Sequence, residues 1–265
     1  MEILILVLII ILLFEIEIGN TFENEGYLSK NHTLCCKGLL SLLIIFCHIQ
    51  YNRIYLEQLR MFDYAGNFIV SIFFFYSGYG VMFSYIAKGI EYKRAFFRRR
   101  ILKILYIYIM FNIIYIFVDL LLGIDINSII LNKELIVSHS WYIVDIIILY
   151  LGYWISIKIS NNNNIIFLFN LMYGCLIIKI FSYANVDSYW YITILNFSLG
   201  ILYAILKEKR SQIVSKDIGK DNIMYVINCF TVFGLVLALV TIFIQNANYT
   251  IKMLIYILAT ITFIN

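Results

Sequence analysis

The stretch FFRRRILKILYIYIMFNIIYIFVDLLL, residues 96–122, decides the class of this chain. A basic cluster of Arg98, Arg99, Arg100 and Lys103 opens a run from Ile101 to Leu122 whose only other charge is Asp119. A hydrocarbon core takes roughly 17 to 25 such residues in one helix. Basic residues at one mouth and an apolar body are the pattern of a membrane-spanning helix anchored on the cytoplasmic side.

The rest of the chain repeats the pattern. Of 265 residues, 63% are hydrophobic and only 14% charged, with a mean hydropathy of +0.89, far from the roughly half and quarter of a soluble domain. A water-soluble surface cannot be built from it. Nine apolar blocks are predicted as helices: 3–18, 34–50, 66–87, 101–122, 141–157, 165–181, 189–206, 223–244 and 250–264. The expected fold is an all-α, polytopic transmembrane helix bundle of about nine helices in the cell membrane. The first block has Glu2 in place of a basic leader and Glu15 and Glu17 where small residues would mark cleavage, so it is expected to be a retained helix. Residues 1–33 are accordingly taken as an extra amino-terminal helix and its cytoplasmic loop, and 34–265 as the main membrane domain.

Charge orients the bundle. Lys88, Lys93, Arg94, Arg98, Arg99, Arg100 and Lys103 precede the fourth block's apolar body, and Lys207, Lys209, Arg210, Lys216 and Lys220 follow the seventh. Both stretches are expected in cytoplasmic loops, with Lys30, Lys37 and Lys158 on the same side and the amino terminus outside. The net charge of +4 is thus an orientation signal, and no nucleic acid partner is implied. Five cysteines and three histidines show neither zinc spacing nor a disulfide framework, so no metal site is expected. Proline is absent, so no helix carries a proline kink, and Asn161 to Asn164 read as a polar turn between spans.

Titratable groups inside spans are functional candidates, because burying them is costly. In CCKGLLSLLIIFCHIQ, residues 35–50, Lys37 and His48 are eleven positions apart, close to three turns, so they share a face about 16 Å apart along the axis. A neutral imidazole is suited to general base work at physiological pH, and His48 is the candidate. The bland alternative is that both side chains reach for the two interfaces. His32 and His139 are placed in loops. In Phe73 to Gly80, FFFYSGYG, small residues line one side of a helix and aromatics the other, which suits close helix packing. Ser77 has no adjacent base and is not on a nucleophile elbow. Arg98, Arg99, Arg100 and Lys103 have the chemistry to hold a phosphate-rich cytosolic cofactor.

Taken together and in order, these segments resemble the acyltransferase 3 family of membrane-bound acyltransferases, which includes bacterial surface-polysaccharide O-acetyltransferases. Lys37-Gly38 with the apolar run to His48 is similar to the family's Arg, ten residues, His motif. Phe73 to Tyr79 is similar to its aromatic-Ser-Gly segment, and FFRRRILKIL to the basic start of the next helix. His139-Ser140-Trp141-Tyr142-Ile143 is similar to its Trp-Tyr-Leu segment, and Asn196 to Gly200 to its later Phe-x-x-Gly. The resemblance runs from about Leu34 to Leu206. Lys37 stands where the family has Arg, Lys103 where it has a second Arg, and Tyr106 where it has proline; a point charge replaces a bidentate fork at the first two. The last of the family's ten helices is expected to be missing.

The resemblance implies transfer of an acyl group, commonly acetyl from acetyl-CoA, to a sugar hydroxyl on the far side of the bilayer. It implies His48 as base, Lys37 as stabiliser of negative charge or holder of the donor, and Arg99, Arg100 and Lys103 as donor phosphate ligands, with Ser77, Trp141 and Tyr142 lining the pocket. The partners implied are an acyl-CoA donor, a carbohydrate acceptor and the lipid bilayer. A transport or flippase-like protein for a glycan or lipid intermediate would use the same polar stripe, and a degenerate relative with a partner role is a third possibility.

Overall fold

The structure is a computed structural model and describes residues 30–51, 65–123, 140–213 and 249–264. Eight α-helices are seen in this order: α1 (Lys30–Tyr51), α2 (Ala65–Lys88), α3 (Ile90–Phe96), α4 (Leu102–Leu121), α5 (Trp141–Ile159), α6 (Asn163–Tyr183), α7 (Leu195–Ile213) and α8 (Tyr249–Ile264). A π-helical turn, Phe97–Ile101, joins α3 to α4, and a 3-10 turn, Ser188–Trp190, precedes α7. Among the described residues there is no strand, and five helical segments are long and apolar enough to cross a membrane. The fold is the expected all-α membrane bundle. Seven of the nine predicted blocks coincide with described helices; the first and eighth, the predicted amino-terminal loop up to residue 29 and His139 lie outside the described residues, while residues 30–33 belong to α1.

Three boundaries differ from the sequence expectation, two of them for one reason. The basic stretch before Ile101 is not a loop: a continuous helical segment runs from Ile90 to Leu121. Lys207 lies inside α7, and His32 inside α1. Lys and Arg suppress hydropathy but are good helix formers, so a helix continues where its apolar signal stops. What interrupts the chain between α2 and α3 is Gly89, at φ +54°, a left-handed conformation that an L side chain resists.

The Asn tract is the expected turn, and its amides are used. Asn162 caps α6 by accepting from the Asn164 backbone N–H at 2.9 Å. Asn161 Oδ1 accepts from Lys93 Nζ at 3.0 Å and from the Tyr85 hydroxyl at 3.4 Å.

The centre of the bundle is the crossing of α2 and α7, the most extensive helix contact among the described residues. A Cβ on Gly78 would strike the carbonyl of Phe197, and one on Gly200 would strike the carbonyl of Phe75, with the Tyr79 nitrogen 2.7 Å away. The segments FFFYSGYG and NFSLG are therefore two sides of one backbone-to-backbone contact, the close approach that small residues permit in membranes. Around it pack Phe68, Phe74, Phe96, Tyr153 and Phe197, all fully buried. Two buried polar links tie further helices in: Asn170 Nδ2 donates to Ser156 Oγ at 2.9 Å between α6 and α5, and the Ser71 and Thr260 hydroxyls lie 2.8 Å apart between α2 and α8. α4 is different, since none of its residues is buried by the described chain.

Candidate active site

α1 runs antiparallel to α2. Cys47 lies beside Gly66, 3.9 Å from where a Cβ would stand, and Lys37 lies beside Tyr76, its ammonium 5.7 Å from the ring centroid. Ten residues along one helix thus match ten along the other. Lys37 therefore sits against the mid-length of α2, half-buried, and not at a helix end. A cation held there over a tyrosine ring gains from the ring's negative face.

The second charge at this level is Arg100, close enough to act electrostatically on Lys37 and on the hydroxyls of Tyr92 and Tyr150. Arg100 belongs to the π turn. A π turn inserts an extra residue into the helical repeat, and such turns recur at functional sites. In Phe97–Ile101 the wide turn carries three consecutive arginines, so that Arg100 approaches Tyr150 of α5 while Phe96, one turn earlier, packs on Tyr150 and Tyr153 with ring centroids 5.7 and 5.3 Å apart. The Tyr92 hydroxyl is buried without a well-formed hydrogen bond among the described residues, with Arg100 and Ser84 as its polar neighbours.

Ser77, in the next position to Tyr76, is half-buried and is a polar neighbour of the hydroxyls of Tyr142 and Tyr150. Tyr142 is wedged on Phe73 and Phe74, at 5.9 and 5.0 Å between ring centroids. Lys37, Ser77, Arg100 and Tyr142 thus belong to one polar cluster lined by tyrosines.

From this cluster a groove of about 910 Å³ leads out along α3 and the π turn. Arg98, Arg99, Arg100 and Lys103 line it together with Lys88 and Arg94, and its only acidic wall residue is Glu91. Arg99 and Lys103 are exposed, so both are open to a ligand in the groove.

Two predicted residues lie elsewhere. Trp141, the first residue of α5, is buried in an aromatic cluster, 5.5 Å from the Tyr189 ring and 6.3 Å from Trp190, away from the basic groove. Successive helical residues point about 100° apart, so Tyr142 can face α2 while Trp141 faces the 3-10 turn. His48 is half-buried in the last turn of α1, next to Cys47 and so at the Gly66 end of α2, about 16 Å along the axis from Lys37. Lys37 and His48 share the helix as expected but occupy opposite ends of the polar stripe.

Other polar groups were not singled out by sequence. Lys207, assigned to a loop by its charge, is half-buried on α7, where its Nζ donates to the Tyr79 hydroxyl at 3.3 Å and lies 5.7 Å from the ring centroid. Asp145 is 1% exposed, and neither carboxylate oxygen has a hydrogen-bond partner among the described residues. Tyr150 and Tyr92 gave no sequence signal beyond apolar periodicity.

The architecture is that of an integral membrane protein with a cationic, tyrosine-lined centre opening to a basic groove at one end of the bundle. Residues 35–264 match the acyltransferase 3 family, described as an acyltransferase domain, and the chain belongs to that family. It is therefore a membrane acyltransferase. No significant match was found among curated proteins or among solved structures.

Proposed function

We propose that this acyltransferase moves an acetyl group from acetyl-CoA to a hydroxyl of a cell-surface or exopolysaccharide sugar, as a multi-pass protein of the cell membrane. The observation that carries the donor assignment is that the basic groove includes Arg100, whose charge acts on the half-buried Lys37. Coenzyme A offers a nucleotide phosphate, a diphosphate and a long thioester-bearing arm. Arg99, Arg100 and Lys103 supply charge-assisted donors for the phosphates. Two cations held at one level by tyrosines, with no acidic residue lining the groove except Glu91, form a site that an anion completes.

Transfer then follows from the placement of the remaining groups. His48 takes the proton of the acceptor hydroxyl while its oxygen attacks the thioester carbonyl, and collapse of the tetrahedral adduct expels the coenzyme A thiolate, which the His48 proton can neutralise; Lys37 holds the donor. His48 and Lys37 lie about 16 Å apart on the axis, so the donor's arm has to carry its acyl end from the cationic centre along α1. Ser77 and Tyr142 line that path, and Trp141 braces the α6 to α7 connection beside it.

The test is transfer of labelled acetyl from acetyl-CoA to polysaccharide in membranes containing the protein. His48→Ala is expected to insert normally and to lose transfer by at least about a hundredfold, the contribution of a positioned general base. Undiminished transfer by His48→Ala would remove it from the reaction, and transport of an unmodified glycan without acylation would replace the enzymatic assignment.

A further inference from the structure

A second cavity, of about 530 Å³, lies on another face of α3, against α5. Its walls carry Lys93, Arg94 and Lys158, with no acidic side chain, over a floor of Phe97 and Trp154. The two rings pack at 5.1 Å between centroids, and Lys158 Nζ stands 4.8 Å from the Trp154 centroid. Lys93 Nζ is held by the neutral amide oxygen of Asn161 at 3.0 Å. Both ammonium groups are thus fixed in place by uncharged partners, which leaves their charge available to a ligand.

The surroundings of the cavity select the kind of anion. On the membrane side of Lys93 and Lys158 the cavity floor of Phe97 and Trp154 is continued by Ile155, next to Trp154 on α5 and 39% exposed. Cations at a helix mouth, a tryptophan just below them and open aliphatic surface beyond are the order of chemistries met on passing from a headgroup into acyl chains. A water-soluble phosphate would use the cations but not the aliphatic flank. We propose that this cavity is a binding site for the phosphate headgroup of an anionic phospholipid, with an acyl chain along Phe97, Trp154 and Ile155, separate from the groove lined by Arg99 and Lys103.

The test is titration of the detergent-solubilised full chain with phosphatidylglycerol, phosphatidylcholine and adenosine 3′,5′-diphosphate, read by native mass spectrometry. Wild type is expected to prefer phosphatidylglycerol to phosphatidylcholine, and K93Q/K158Q to lose that preference by about tenfold or more, while K93R/K158R keeps it. Binding of the adenosine diphosphate should be the same in all three proteins. K158Q alone, expected to lose part of the preference, gives the same answer if the double variant does not fold. No lipid preference in wild type, or an unchanged preference in the glutamine variants, overturns the proposal. So does loss of the adenosine diphosphate with the lipid preference intact, which would make the cavity part of a nucleotide site.

Discussion

The Lys37 ammonium lies 5.7 Å from the centroid of the Tyr76 ring, beside the middle of α2, with the Arg100 charge acting on it from the neighbouring π turn. Two like charges at one depth of a membrane bundle repel each other in the empty protein. An anionic ligand bound between them would relieve that repulsion.

Lys37→Met should therefore separate stability from binding. Thermal melting in detergent is expected to be unchanged or raised, and acyl-CoA affinity to fall by about tenfold or more, the worth of one charge-assisted contact. Lys37→Arg, which supplies a bidentate fork, should preserve or raise affinity. A large drop in melting temperature for Lys37→Met, with affinity intact, would mean that the lysine serves packing.

The crossing of α2 and α7 makes a sharp distinction among glycines of one motif. Gly78→Ala and Gly200→Ala place a methyl against backbone and should each cost about 1–3 kcal/mol or more. Gly80→Ala, where nothing lies within 4 Å of the added Cβ, should change stability by less than about 0.5 kcal/mol. Equal effects at the three positions in a thermal or detergent unfolding assay would contradict the crossing.

Much of this was legible in the sequence, and the exceptions are instructive. Span length and charge located α2, α5 and α6 to within a few residues, because hydrocarbon thickness imposes one length on every span. The helical character of 90–100 was hidden, since hydropathy registers the cost of Lys and Arg in lipid and not their fitness for a helix. Within the site, the pairing of Ser77 with Tyr142 joins two motifs that sequence order placed in one family pattern. That Arg100, rather than Arg98, meets Tyr150 depends on the register set by the π turn, and that Lys207 meets Tyr79 depends on how far α7 extends. Neither is a local property of the chain. Trp141 and Tyr142 are neighbours in sequence, yet only packing shows that they face different partners.

Asp145 offers a test of burial. A carboxylate at 1% exposure with no hydrogen-bond partner among the described residues gains nothing from its charge. Asp145→Asn is expected to melt at or above the wild-type temperature. A loss of more than about 3 kcal/mol would instead reveal a cationic partner, since orphaning one member of a buried pair costs that much.

The link between α5 and α6 can be measured directly. A double-mutant cycle on Ser156→Ala and Asn170→Ala should give a coupling of about 0.6 to 1.7 kcal/mol, the range of interhelical hydrogen bonds in membranes. Additive single effects would mean that the 2.9 Å contact carries no net stability.

The central claim is that the basic groove and its cationic end hold the acyl donor. It is tested most directly by binding of acetyl-CoA to the purified protein, comparing wild type with His48→Ala and with the triple variant R99A/R100A/K103A. Binding by wild type and by His48→Ala, with affinity lost in the folded triple variant, is the predicted result; a folded wild type that binds no acyl-CoA, or a triple variant that binds it as well, would contradict the account.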